Sequence, residues 1–286
     1  MRKVLVTGAN GQLGRCIADA AHRYPELELF FATRAEFDVD DLDAVSTFFE
    51  SHIFDVVINT AAYTAVDQAE EEPEKAYHTN HTAVAHLATI CKEQRMVLVH
   101  FSTDYVFDGN KGMPYTETDP THPINVYGAS KQKGEEAVSA SGADAYIFRT
   151  SWLYSQYGKN FYTTMLRLAK ERKILSITTG ERGTPTNANV LAEVSLQIIA
   201  EKTLPFDYYH LSNEGEATWF DFAEMIFQEH ENNDIHLERT DHFKTKARRP
   251  VYSVLSKERI KDVGNVMLPH WKVSLKKLIA DQQSAT

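Results

Sequence analysis

The sequence predicts an α/β protein: a parallel sheet with helices on both faces, followed by a smaller C-terminal lobe. Three observations carry this reading. Short apolar runs alternate with amphipathic stretches through the first half of the chain. Glycines at 8, 11 and 14 stand between the first apolar run and the first amphipathic stretch. No internal repeat or low-complexity linker interrupts the pattern. Alternating strands and helices build a parallel sheet covered on both sides. A glycine turn between strand and helix is the setting of a dinucleotide cradle. Together these make the sheet Rossmann-type.

Val4-Leu5-Val6 is a short apolar run ahead of glycines and reads as a buried parallel strand. A helix is expected over 12–24, a second strand over 27–32, a second helix over 40–51 and a third strand over 56–58. Pro73 to Gln94 reads as one long helix, and Val97 to Phe101 as the next strand. Tyr127 to Ala140 reads as a helix and Ala145 to Arg149 as a strand. After Thr150 the rhythm loosens. Amphipathic helices are expected over 161–170, 189–200 and 219–230, separated by short runs such as Leu175-Ser176-Ile177 and Tyr208-Tyr209-His210-Leu211. The expected division is a dinucleotide-binding domain at 1–150 and a substrate-binding lobe at 151–286, some of whose segments return to the main sheet.

Composition narrows the functional class. At 286 residues, 43% hydrophobic and 24% charged, the chain buries a large core in the ordinary way of a globular protein. A net charge of -10 argues against a general nucleic-acid binder. No stretch approaches the ~20 apolar residues of a membrane helix. The basic start precedes an apolar run too short for a secretory leader. The expectations are no nucleic acid, no membrane, the cytoplasm as compartment and a homodimer as the assembly to test. Cys16 and Cys91 fall in predicted helices among apolar neighbours and read as free thiols. His78, His81 and His86 share one predicted helix, but no carboxylate-rich partner motif completes a metal site. No metal is expected.

The cofactor site is read from the turn outward. Gly8, Gly11 and Gly14 allow a tight turn, close approach of backbone to a pyrophosphate, and close packing of helix on strand. The helix N-terminus adds free N–H groups and a positive dipole end. An acidic residue after the second strand would bind ribose hydroxyls and repel a 2′-phosphate. This chain has Ala32-Thr33-Arg34 there, and Arg34 offers charge-assisted bonds to that phosphate. NADPH is therefore the expected cofactor, with NADH as the alternative. Asp38 and Val39 fall where the adenine edge belongs. Ala61, Ala62 and Tyr63 follow the third strand, in the crevice where open sheets bind ligands.

Catalysis is read from Thr103, Tyr127 and Lys131. Thr103 ends a strand on the ligand side of the sheet. Tyr127 opens the next helix after a long connection, and such connections inside a compact domain are usually functional. Tyr127 and Lys131 lie one turn apart on one helix face. There the ammonium is expected to lower the phenol's pKa from about 10. The phenol gives a proton to a carbonyl oxygen as a hydride reaches its carbon, and the Thr103 hydroxyl adds a hydrogen bond. Lys131 is also placed to bond the nicotinamide ribose. A basic run, Lys244 to Arg249, is a candidate contact for a nucleotide diphosphate.

At these residues the chain resembles the extended short-chain dehydrogenase/reductases, and among them the dTDP-4-dehydrorhamnose reductases. The matching stretches are Val6 through Gly14, Ala61 through Asp67, Ser102-Thr103-Asp104-Tyr105-Val106-Phe107-Asp108-Gly109, Asn125 through Gly128, Lys131, Arg149 through Trp152 and Gly183 through Thr186. The resemblance implies reduction of the C4 ketone of a nucleotide sugar. It implies Tyr127 as proton donor, Thr103 as its tuning partner and Lys131 as ribose-binding cation. It implies Asp104, Tyr105 and Trp152 as substrate contacts. It implies Asn10, Gly11, Gln12, Leu13, Asp38, Val39 and Ala61 to Tyr63 as cofactor contacts. Two departures stand out. Where some members carry a magnesium-binding glutamate this chain reads Arg15-Cys16, and where some carry an acid after the second strand it has Thr33. Tyr105 replaces the glutamate that a related dehydratase would place after Thr-Asp. A non-catalytic regulatory subunit of the same fold, a related 4-ketoreductase and an epimerase are the rival readings.

Overall fold

The computed structural model describes residues 1–232, 234–241 and 244–284. The first half runs β1 (Arg2–Thr7), α1 (Gln12–Ala20), β2 (Leu27–Ala32), α2 (Leu42–Ser51), β3 (Val56–Asn59), α3 (Val66–Ala69), α4 (Pro73–Tyr77), α5 (Ala83–Glu93), β4 (Val97–Thr103), α6 (Val126–Ser141) and β5 (Ala145–Thr150). The second half runs β6 (Leu153–Tyr154), α7 (Phe161–Glu171), β7 (Ile174–Thr178), β8 (Arg182–Gly183), β9 (Thr186–Asn187) and α8 (Ala188–Glu201). It continues with β10 (Tyr208–His210), β11 (Ala217–Thr218), α9 (Trp219–Glu229), β12 (His236–Thr240), α10 (Glu258–Gly264) and α11 (Trp271–Ser284).

Six strands form one parallel sheet in the order β10-β5-β4-β3-β1-β2. The order reverses between β1 and β3, which opens a crevice at their carboxyl ends, where such sheets take ligands. β1 from Val4 onward and all of β3 are buried, which is why they read as continuous apolar runs rather than alternating ones.

Each face of the sheet has its own apolar core. On one, Leu13, Cys16 and Ile17 of α1 pack with Leu191, Ala192 and Val194 of α8. On the other, Val45 and Phe49 of α2 pack with Val84, Leu87 and Cys91 of α5. Each such aliphatic side chain contributes roughly 1.5–3 kcal/mol when fully buried. Helix α8 and strand β10 come from the second half, so the chain crosses back and completes the sheet it left at Thr150. A third core joins Tyr154, Tyr162, Phe222 and Trp271 across β6, α7, α9 and α11 and holds the remaining lobe together.

The long helix expected from Pro73 to Gln94 is interrupted. Residues His78–Thr82 form a π-helical turn between α4 and α5. Asn80, buried there, donates to the Tyr63 carbonyl and to Ser130 Oγ of α6, each at 3.0 Å, and accepts from Tyr63 N–H at 2.9 Å. Such turns often sit at functional sites, and this one ties the loop after β3 to α6. His78 and His86 serve packing: His78 bonds the Asp40 carbonyl at 2.8 Å, and His86 bonds Ser46 Oγ at 2.9 Å and the Leu42 carbonyl at 3.0 Å.

Candidate active site

Two cavities lie along the carboxyl ends of the strands. The smaller, about 310 Å³, is lined by Gly8, Asn10, Gly11, Arg34, Asp38, Val39, Ala61 and Ala62 among others. Gly8 has φ +65°, and a Cβ on it would stand 2.9 Å from the Ala61 backbone N. Only glycine leaves that cradle open. Gly11 caps α1 without any side-chain hydrogen bond, so the first N–H groups of the helix remain for a ligand. This arrangement fits a dinucleotide phosphate. Arg34 stands at the rim, paired with Asp38 and Asp40 at 3.0 Å each.

Three expected cofactor residues sit differently. The Leu13 side chain is buried in the core among Val4, Val6 and Ile17, leaving only its backbone to face a cofactor. Gln12 Oε1 accepts from Asn160 Nδ2 at 2.6 Å, which joins the glycine turn to the start of α7. The Tyr63 hydroxyl turns to Glu72 at 3.1 Å.

The larger cavity, about 540 Å³, brings together Thr103, Asp104, Tyr105, Tyr127 and Trp152 with Asn160, Phe161, Trp219 and Arg249. Thr103 ends β4, and its Oγ1 accepts from Tyr105 N–H at 3.2 Å, starting a short 3-10 turn over Asp104–Val106. Asn125 caps α6 through Gly128 N–H at 2.7 Å and also reaches the Arg248 carbonyl at 2.8 Å. Gly128 packs so closely that a Cβ would lie 2.1 Å from the Tyr105 carbonyl. This contact presses Tyr127 against the strand end. Tyr105 meets Tyr127 edge-on, with ring centroids 5.9 Å apart.

The electrostatics differ from the expected ones. Burial pushes the Tyr127 phenol up to about 12; the Thr103 side chain opposes the rise and the Asp104 carboxyl adds to it. Lys131 does not lower it. Its ammonium position is spent on the Phe101 carbonyl at 2.6 Å and His100 Nε2 at 3.3 Å, buried against β4. Burial brings Lys131 down to about 8, while Glu135 works against that. Asp104 is raised by burial to about 7, opposed by hydrogen bonds from Ser253 and Thr103.

Trp152 has φ +45°, a strained conformation for a bulky residue. It lies face to face with Trp219 at 3.6 Å, and Trp219 donates to Glu181 at 2.7 Å. Trp219, Phe161 and Asn160 are site residues that local spacing does not reveal. The one available signal is that Asn160 and Trp219 stand at the starts of expected helices. Arg249 lines this cavity and a neighbouring apolar one of about 650 Å³, and pairs with Asp67 at 3.2 Å. Arg248 is exposed and contributes its carbonyl to Asn125.

The chain matches the RmlD substrate binding domain family over residues 1–284. A dTDP-4-dehydrorhamnose reductase of Aggregatibacter actinomycetemcomitans is 39% identical over 295 residues, covering 98% of this chain and 99% of the relative. The crystal structure of dTDP-4-dehydrorhamnose reductase from Bacillus anthracis, in complex with NADP, superposes with TM-score 0.93 at 34% identity, covering 98% of this chain and 99% of that one. The corresponding structure from Clostridium acetobutylicum has TM-score 0.93 at 38% identity, with the same coverage of both chains. The chain belongs to the dTDP-4-dehydrorhamnose reductase family.

Proposed function

We infer that this protein reduces the C4 ketone of dTDP-4-dehydro-L-rhamnose to give dTDP-L-rhamnose, using NADPH. The observation that carries the reading is Tyr127 on the wall of one cavity with Thr103, Asp104 and Trp152. Bound NADPH supplies the hydride. The residues proposed to hold it are Gly8, Asn10, Gly11, Gln12, Gly14, Arg34, Asp38, Val39 and Ala61 to Tyr63, with the Leu13 backbone, Tyr127 and Lys131.

The protein's part is proton transfer and positioning. A phenol raised to about 12 stays protonated at neutral pH and yields its proton only as alkoxide character builds on the sugar oxygen. Thr103 stabilises the tyrosinate left behind. Trp152, braced by Trp219, offers a rigid flat side to the pyranose. Arg249, where two cavities meet, is the cation proposed for the diphosphate, and the apolar slot beside it is the proposed seat of the nucleoside. The proposed division is cofactor on the 1–150 side and substrate against the 151–286 lobe. The proposed compartment is the cytoplasm. A homodimer is the proposed assembly, with Met267 and Val273 exposed for a second copy to cover.

Incubation with dTDP-4-dehydro-L-rhamnose and NADPH, with the product identified by NMR, tests the activity. Tyr127→Phe should lower kcat by about a hundredfold or more while NADPH still binds. Full activity in that variant removes Tyr127 from the mechanism.

A further inference from the structure

Next to the proposed catalytic groups runs a buried polar chain whose first three members the mechanism above does not use. Thr7, Asn59 and His100 stand side by side in register across β1, β3 and β4. His100 then meets Lys131 of α6 at 3.3 Å. All four are buried: Thr7 and His100 are 0% exposed, Lys131 2% and Asn59 3%.

The chain has a determined direction. The Ala61 backbone N–H can only donate, and it reaches Asn59 Oδ1 at 3.2 Å; Thr7 Oγ1 donates to the same oxygen at 2.8 Å. Asn59 therefore presents its NH₂ group to His100 Nδ1, at 3.4 Å, and Nδ1 must accept. Burial keeps His100 neutral. A neutral imidazole carries one N–H, which here lies on Nε2 and points at Lys131 Nζ. An ammonium there would set donor against donor. A neutral amine has a lone pair to accept with, and still donates to the Phe101 carbonyl at 2.6 Å. The surrounding charges do not override this. Glu135, on the same helix, favours the ammonium but is engaged by Arg149 of β5 at 2.6 Å. Tyr127, on α6, is protonated at neutral pH, and Asp104, after β4, is half-ionised near pH 7.

We propose that in mildly alkaline solution Lys131 stands as a neutral amine in the cofactor-free protein, held so by the His100–Asn59 pair, and takes up a proton when the nicotinamide cofactor binds. The proposal rests on the cofactor reading of the glycine turn. The proton comes from solvent and forms a new N–H bond at Nζ; no other covalent bond changes, and the site gains one positive charge. The anionic cofactor and its ribose hydroxyls both favour the ammonium. His100 is thus a positioning residue that sets the state of Lys131.

Calorimetric titration of the whole protein with NADPH, in buffers of different ionisation enthalpy, counts the protons. At about pH 8 and above, the 2′-phosphate is already ionised and does not contribute. The expected uptake is about half a proton per site at pH 8, rising toward about one at pH 9. In Asn59→Asp the new carboxylate accepts from Nδ1–H and moves the ring proton, so Nε2 offers its lone pair to an ammonium. Uptake should then fall close to zero while NADPH still binds; His100→Gln should do the same. A purely structural role would change affinity or melting temperature and leave the proton count alone. Absence of uptake in the wild type overturns the proposal, as does unchanged uptake in folded variants. So does a ¹⁵N spectrum of the wild type that places the His100 proton on Nδ1, a readout independent of any variant. Failure of NADPH to bind at all is a separate result and strikes the cofactor reading instead.

Discussion

The two ends of the cleft use the same kinds of residue to opposite effect. At the Arg34 end, charges stand in water: Arg34 is 75% exposed and meets Asp38 and Asp40 in open pairs. At the catalytic end Asp104, Lys131 and His100 are nearly inaccessible, and each is displaced toward its neutral form. Water screens the first set, so its charges cost little and select weakly. Burial penalises charge in the second, so protonation becomes responsive to what binds. Residue type names the chemistry, and local dielectric decides the protonation state.

The largest effect that tests this contrast is at the buried ion pair between α6 and β5. Arg149 meets Glu135 through Nε at 3.0 Å and Nη2 at 2.6 Å, with both side chains under a tenth exposed. Glu135→Gln strands the guanidinium, and the unfolding free energy from urea denaturation should fall by about 3–5 kcal/mol. An unchanged midpoint would mean this end is wetter than described.

Asp104→Asn sharpens the contrast through pH. The folded carboxyl titrates near 7, above its ordinary 3.8. The folded state therefore holds the extra proton between those values, and stability is lost as pH rises through that window. The asparagine variant escapes the loss. It should be more stable than wild type at pH 8, by about 1–3 kcal/mol, and equal to it near pH 4. Thermal melts at both pH values read this directly, and a parallel pH dependence in the two proteins would break the assignment.

The smallest effect belongs to the exposed end. Arg34→Ala should leave the melting temperature unchanged and raise KM for NADPH a few-fold, with KM for NADH unmoved. If KM for NADPH does not move either, Arg34 is a surface pair with Asp38 and Asp40 and nothing more.

Much of this architecture was legible in local spacing. The β1–turn–α1 unit needs only an apolar run, glycines and a helix start, all within residues 2–20. The start of α6 is likewise local: Asn125 caps it, and Tyr127 and Lys131 follow one turn apart. The π turn at His78–Thr82 was not legible, because Asn80 bonds Tyr63 and Ser130, both outside its own helical segment. The stack of Trp152 on Trp219 was hidden for the same reason, and α11 has no counterpart among the expected elements.

The sequence by itself determined the glycine turn between β1 and α1, the start of α6 and the one-turn spacing of Tyr127 and Lys131, since these depend on contacts between near neighbours in the chain. Tertiary structure alone decided that Lys131 turns to His100 and Phe101, that Asp104 titrates near neutrality and that Arg249 joins two cavities. Those outcomes depend on burial and on partners from distant segments, which exist only once the chain has closed around them.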